Sequence, residues 1–329
     1  MSIDISVVTT MYYSAPYLHE FCARVHKAVE PITTNYEIVL INDGSPDNSL
    51  DVALELFHAD PHIRVVDLSR NFGHHKAMMT GLANARGNLV LLLDCDLEEP
   101  PEAFSLMYET MQQTKADVVY GVQTQRKEPL LTRITGRLYY TVFNMLAAYR
   151  IEPNILNMRL MTKRYVEALT QHTEHLFSIE GLWEITGFKQ IAVMVNKDRH
   201  KGTTTYTFAK KLTHIVNSIT AFSNKPLIYI AALGLLMTGL SGLYIMVLLY
   251  QYFVLNYRVD GYTSIMVSMW FLAGLIVLIL GIIATYLSVI FIEVKRRPYT
   301  LVRALFEHPT DTEQNAETVN HLSSVETVQ

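Results

Sequence analysis

Cysteine is scarce: 329 residues contain only Cys22 and Cys95. Two isolated thiols exclude a disulfide-stapled scaffold and give no metal-ligand spacing, so both read as structural residues of a reducing compartment. Positive charge is not in surplus either. The formal net charge is −4, and no basic stripe interleaved with aromatics runs along the chain, which excludes a surface that tracks nucleic acid. No glycine-rich, Lys- or Arg-bearing loop follows the first apolar run, which argues against a nucleotidyltransferase acting on an NTP. No basic, then apolar, then small-residue leader opens the chain, so no signal peptide is expected.

Charge is absent altogether from two stretches. Pro226 to Val254 and Ile265 to Ile292 hold no Asp, Glu, Lys, Arg or His, and each exceeds the roughly 20 apolar residues that cross a bilayer as a helix. Buried core helices of a soluble protein are shorter and carry a polar stripe, so the sequence predicts two transmembrane helices within 226–292. Lys210, Lys211 and Lys225 precede the first run and Lys295, Arg296 and Arg297 follow the second, whereas the link 255–264 carries only Arg258 and Asp260. That bias places both termini in the cytoplasm and the link outside, giving a multi-pass protein of the inner (plasma) membrane. The membrane-proximal basic residues suit anionic headgroups or a lipid phosphate.

Before the runs, β-rich segments alternate with helical ones. Strands are predicted at Ile5–Thr10, Glu37–Asn42, Ile63–Asp67, Leu89–Asp94 and Asp117–Tyr120, with helices near Pro16–Val29, Ser49–His58, His74–Ala85 and Glu102–Thr114. This alternation implies an α/β fold with a mostly parallel sheet covered on both faces. Ligands of such sheets bind beyond the carboxyl ends of the strands, where Asp43 and Asp94 fall. Asp94-Cys-Asp96, with Glu98 close behind, gathers carboxylates at one strand end, and their mutual repulsion is costly unless a cation neutralises them. Hard oxygen donors of this kind suit Mg²⁺ or Mn²⁺. Taken alone, the cluster is a weak motif and reads rather as a solvated acidic turn before a helix.

It does not stand alone. Asn42-Asp-Gly-Ser-Pro-Asp47, Ser69-Arg-Asn-Phe-Gly73 and Gly81-Leu-Ala-Asn-Ala-Arg-Gly87 precede it in fixed order. In this order the sequence resembles the family-2 inverting glycosyltransferases, and within them dolichyl-phosphate mannose synthases and bacterial polyprenyl-phosphate glucosyltransferases. The resemblance extends to about residue 300. It implies a nucleotide-diphospho-sugar transferase (A-type glycosyltransferase, Rossmann-like) domain over 1–208 ahead of the two transmembrane helices and a cytoplasmic tail over 293–329; the stretch 209–225, basic at its start and mixed thereafter, reads as a juxtamembrane interfacial helix and equally as a domain helix packed on the sheet. The activity implied is transfer of a sugar from a nucleotide-diphosphate donor, with UDP favoured, to a polyprenyl phosphate. A homo-oligomer is compatible with it.

Position by position, the resemblance makes Thr10, Tyr12 and Asp43 the nucleotide pocket and Asp94, Asp96 and Glu98 the metal site. It makes Arg199 the basic residue near the diphosphate or acceptor phosphate, with Arg159 as a further fixed positive charge. Tyr12 as a core aromatic, Asp43 as a turn cap and Arg199 as a surface charge are the plainer alternatives. The chain departs from the family at Thr10 (usually Pro), Ser14 (Glu), Glu98 (Gln) and Thr205 (Lys). Asn157 stands where relatives carry an Asp taken as a catalytic base. An amide takes no proton, but a phosphate monoester ionises near pH 6 and can attack unaided; on this reading Asn157→Asp has only a modest effect.

Leu131, Ile134, Leu138, Val142, Met145 and Tyr149 share one helical face, with Arg133 and Arg137 on another. This amphipathic stretch fits a membrane interface, with the two arginines toward the acceptor, and fits packing against the sheet equally well. Beyond Pro309 the polar, aperiodic tail reads as disordered. A processive polysaccharide synthase would carry Gln-X-X-Arg-Trp, yet only Trp183 and Trp270 exist and neither follows Arg. A non-catalytic relative acting as a binding scaffold is the other alternative, set against the intact Asp94/Asp96 pair.

Overall fold

The computed structural model describes residues 3–123, 154–196, 223, 225–254 and 261–308. Within them lie eight strands: β1 (Ile5–Met11), β2 (Tyr36–Asn42), β3 (Ile63–Leu68), β4 (Leu89–Leu92), β5 (Val118–Gln123), β6 (Ile155–Thr162), β7 (Gln190–Val195) and β8 (Val302–Phe306). The helices are α1 (Leu18–Val29), α2 (Ser49–Ala59), α3 (His74–Asn84), α4 (Ala103–Thr114), α5 (Lys163–Leu169), α6 (Ile179–Thr186), α7 (Lys225–Val254) and α8 (Tyr262–Val294). The first nine elements in chain order follow the predicted alternation with ends shifted by up to three residues, as frayed ends do.

All eight strands form one sheet, in the order β7-β5-β6-β4-β1-β2-β3-β8. Strands β4, β1, β2 and β3 run parallel to one another. Antiparallel β6 joins β4 on one side, and antiparallel β8 joins β3 on the other. The sheet is therefore mixed. Val7 and Val8 show how its two apolar layers arise, because successive residues of a strand face opposite sides. Val7 packs with Phe21, Leu40 and Phe104 beneath α1, α2 and α4; Val8 packs with Ile41, Leu82 and Trp183 beneath α3, α5 and α6. Cys22 and Cys95 are buried, and burial pushes both thiols up to about 12. A thiol held protonated is a poor nucleophile, in keeping with structural roles.

Two membrane spans are expected from the sequence. Helix α7 is 30 residues long and α8 is 33. Among the described residues one stretch, Leu272–Val294 in α8, is long and apolar enough to cross a bilayer, with mean hydropathy 2.9 and none of it buried. In α7 the described apolar run, Lys225–Met237, is shorter than a span. The two helices are tied at one end, where the Tyr286 hydroxyl donates to the Ser223 carbonyl at 2.8 Å.

The chain beyond α8, read from sequence as part of a tail, returns to the sheet. Glu293 accepts from the backbone amides of His175 at 2.8 Å and Leu176 at 3.2 Å. Ser69 N–H then donates to the Leu301 carbonyl at 2.9 Å, and β8 pairs with β3 from Val65↔Phe306 to Leu68↔Val302. Arg303 closes the register with a 2.6 Å bond to the buried Asp67. A strand edge is thereby covered, and the end of α8 is fixed to the α/β domain on both sides of the turn. The segments 130–150 and 209–222, together with residues beyond 308, lie outside the described residues.

Candidate active site

The acidic cluster sits where the parallel strands end. After Leu92 the chain turns through Leu93, Asp94, Cys95 and Asp96, with Leu97 at φ 61°. Asp94 faces the N-terminus of α3, where His74 Nε2 lies 3.3 Å from its Oδ1. The other ring nitrogen, Nδ1, is 3.0 Å from Thr10 Oγ1. His74 therefore bridges the ends of β1 and β4. Burial alone would lower its pKa; the hydrogen bond and charge of Asp94, with the charges of Asp43 and Glu180, outweigh that and raise it. An N-terminal turn of a helix favours negative charge, which adds to the pull on Asp94.

Strand β6 brings the next group. Pairing of Leu92 with Arg159 in antiparallel register sets Asn157 beside Asp94, and Asn157 Nδ2 donates to Asp94 Oδ2 at 2.9 Å. The backbone amide of Asn157 is itself held by the buried Glu99, whose Oε1 accepts it at 3.0 Å. Asp96 Oδ1 accepts the Glu98 amide at 3.0 Å, shaping the turn. Among the described residues no three His, Cys, Asp or Glu side chains converge as a metal site. Asp94, Asp96 and Glu98 thus do not form a preformed cage, because Asp94 is turned toward His74 and Asn157 and Asp96 is engaged with its own turn. Two hard carboxylates at one strand end still fit Mg²⁺ or Mn²⁺, which takes one or two carboxylates and completes its shell with substrate phosphates.

The expected nucleotide pocket is partly rearranged. Tyr12 is 48 % exposed at the end of β1, which rules out a core aromatic, and it meets Tyr13 edge to face at 4.9 Å. Thr10 is buried against His74. Asp43 is also buried, and its two oxygens accept the amides of Phe72 at 2.7 Å and Gly73 at 3.0 Å. Burial raises its pKa, with those two amides and the charges of His74 and Arg70 pulling the other way. Asp43 is thus the pin that holds the 70–73 loop over the strand ends. Gly44 makes the fit possible: at φ +59° its missing Cβ would stand 2.4 Å from the Arg70 carbonyl carbon.

Arg159 departs from its expected role. It is 3 % exposed, with its guanidinium carbon 3.6 Å above the Trp183 ring and 4.9 Å from Tyr120. Nη1 donates to Gln190 Oε1 at 3.1 Å, and burial lowers the guanidinium to about 10. Two residues below Asn157 on the same face of β6, it is a buried stack beneath the site rather than a phosphate contact. Arg133, Arg137 and Arg199 lie outside the described residues. Sequence reasoning missed His74 and Glu99. The only signal for His74 was its place directly after Ser69–Gly73, and for Glu99 its place at the end of the acidic run.

This constellation occupies a segment that known proteins share. The model of the family described as Glycosyl transferase family 2 matches residues 6–173. The chain belongs to glycosyl transferase family 2. A Mycobacterium tuberculosis protein described among glycosyltransferases is 44% identical over 92% of this chain and 88% of its own. The uncharacterized glycosyltransferase YkcC of Bacillus subtilis is 33% identical over 92% and 94%. The SfII prophage-derived bactoprenol glucosyl transferase of Shigella flexneri is 30% identical over 92% and 98%. The protein is therefore a glycosyltransferase, with the nucleotide-sugar transferase fold built on a mixed sheet.

Proposed function

We propose that this glycosyltransferase moves a sugar from a nucleotide-diphosphate donor, of the UDP type, to a polyprenyl phosphate with inversion, giving a lipid-linked monosaccharide. The observation that carries the lipid acceptor is the tether between membrane helix and site. Glu293, at the end of α8, binds the amides of His175 and Leu176. A few residues on, Ile179 N–H approaches His75 Nδ1 at 3.4 Å, beside the His74–Asp94 pair. A phosphate carried at the membrane surface is thus brought toward the acidic strand ends. The likeness to a bactoprenol glucosyl transferase over nearly its whole length supports the same acceptor class.

In this mechanism an acceptor phosphate oxygen attacks the anomeric carbon as the bond to the nucleoside diphosphate breaks. Asp94 and Asp96 would hold Mg²⁺ or Mn²⁺, which when bound supplies positive charge to the leaving diphosphate. Asn157 and His74 orient Asp94 for that task. Tyr12, exposed at the end of β1, offers a ring to the base, and Arg199, Arg133 and Arg137 supply charge to the phosphates. Glu98 lies at the rim of the acidic turn. On this reading the whole of α7, 30 residues long, serves as the second span, with both termini cytoplasmic and the chain in the inner membrane; homo-oligomers are compatible with this arrangement. Incubation with a panel of nucleotide sugars, polyprenyl phosphate and Mn²⁺ or Mg²⁺ tests the reading, a new glycolipid being the expected product and its absence with every donor the contrary result.

The geometry changes the expectation for Asn157. An Asp there would set a carboxylate against Asp94 in place of a donor, and like charges at that range repel. Asn157→Asp is expected to slow transfer by about 10- to 100-fold, the worth of a hydrogen bond to a charged group. Asn157→Ala should cost less. Wild-type activity should fall below about pH 6 as the acceptor becomes a monoanion. Steady-state rates across pH for the three proteins check this, and a gain in Asn157→Asp would show that the site lacked a base it could use.

A further inference from the structure

A second cluster of basic groups lies away from the acidic strand ends. Between α8 and β8 the chain curls around a cavity of about 640 Å³ bounded by His175, Glu293, Arg296, Arg297, Tyr299 and Thr300. Its one carboxylate, Glu293, is already engaged by two backbone amides and by His175 Nδ1 at 3.3 Å. The two arginines are exposed. Tyr299 and Thr300 add neutral hydroxyls, and the Tyr299 ring packs edge-on to Phe177 as a back wall.

The turn that presents the arginines is held from several sides. Arg296 has φ 47°, a left-handed conformation in which the Cβ of a non-glycine residue crowds the following carbonyl oxygen. The His175 ring nitrogen Nε2 donates to the Arg297 carbonyl, and the Arg296 amide donates to the Glu293 carbonyl at 3.1 Å. Surroundings that over-determine a strained turn are typical of binding sites. On the membrane side, Leu287, Ile290, Phe291 and Val294 are exposed on the last turns of α8. Apolar helix surface therefore leads directly into a cationic cavity, the pattern that matches an amphiphile with acyl chains and a phosphate head.

We propose that the cavity between the end of α8 and residues 173–176 binds the headgroup of an anionic membrane phospholipid, with Arg296 and Arg297 pairing its phosphate. The volume suits a glycerophosphate headgroup, well within the range of small-molecule sites. The reacting acceptor phosphate belongs elsewhere. Thr300 borders the cavity and meets α3 at Thr80, 2.8 Å between hydroxyls, which is ~9 Å along the helix from His74 at 1.5 Å per residue. The bound lipid would clamp α8 to the catalytic domain next to the Glu293 tether. The proposal rests on reading α8 as a membrane span.

The full chain is placed in phosphatidylcholine nanodiscs containing a minor fraction of phosphatidylglycerol, and native mass spectrometry counts the lipids retained. Wild type is expected to keep phosphatidylglycerol selectively, and R296Q/R297Q to lose that preference by about ten- to thirtyfold, from the attraction of two basic residues to an anionic lipid. R296K/R297K should keep much of it, which guards against a folding defect in the first variant. K295Q should behave as wild type, because the Lys295 ammonium lies 3.9 Å over the Phe291 ring rather than in the cavity wall. Unchanged retention in R296Q/R297Q overturns the proposal. So does displacement of phosphatidylglycerol by a short-chain polyprenyl phosphate together with a raised acceptor KM in that variant, which would make the cavity the acceptor site. A chain that stays in the aqueous phase without detergent overturns the membrane reading itself, whereas a membrane-bound wild type with no preference for phosphatidylglycerol overturns the lipid site alone.

Discussion

Asp96→Asn is expected to lower sugar transfer by about 10²–10³-fold, the cost of removing one preorganised electrostatic group from a transition state. Asp96 is the cleaner of the two carboxylates to change. Its Oδ1 accepts the backbone amide of Glu98, and the amide oxygen of an asparagine can accept the same bond. Asp94→Asn would also disturb His74 and Asn157, both within 3.3 Å of it. The Asp96→Asn protein should therefore melt like wild type and bind the donor more weakly. Full activity in this variant, or undiminished activity in excess chelator, would remove the cation from the mechanism.

Much of the fold was legible because burial on both faces leaves parallel strands mostly apolar, with few charged positions. Strands β1 to β3 are buried along their whole lengths, and the helices between them are amphipathic, so the change of period marks each boundary. Strand β8 was not legible. It has five residues, exposed in part, and pairs with β3 across more than two hundred positions of sequence; no local pattern encodes that partner. The same limit applies to the site. Asp94 and Asn157 are 63 residues apart and meet only because β6 runs antiparallel beside β4. The inward turn of Arg159 follows from that register too, since a residue two places down β6 lies over Trp183, below the strand ends. His74 was hidden for a different reason: a histidine opening a helix carries no chemistry until Thr10 and Asp94 are seen on either side of it.

The largest expected effect on stability is at Glu37, at the other end of the sheet. Glu37 and Arg64 are 2 % and 5 % exposed and pair at 2.7 Å. The remaining carboxylate oxygen accepts the Ser6 hydroxyl at 2.5 Å and the Arg86 amide at 2.8 Å. Arg64 also reaches the Asn84 carbonyl and Glu307, just past β8. Glu37→Ala would leave a buried guanidinium short of its principal anion and the Ser6 hydroxyl without this acceptor, while the Arg86 amide would keep only its longer bond to Ser6 Oγ at 3.1 Å. Breaking a buried pair in this way costs about 3–5 kcal/mol, a large share of the roughly 5–15 kcal/mol that holds a domain together. The melting temperature should fall by roughly 10 °C, taking about 2–4 °C per kcal/mol for a domain of this size. Glu37→Gln, which keeps an acceptor for Ser6 and Arg86, should fall less. Replacing both members of the pair with methionine should recover much of the loss, because burying two charges is itself expensive and apolar packing offsets it. Transfer per folded molecule should be unchanged in all three, since the site lies beyond the opposite ends of these strands. A melting curve for Glu37→Ala that overlays wild type would show that Glu307 alone neutralises Arg64. A kcat that drops in step with stability would show instead that the packing of β2 is transmitted along the strand to Asp43 and the loop it pins.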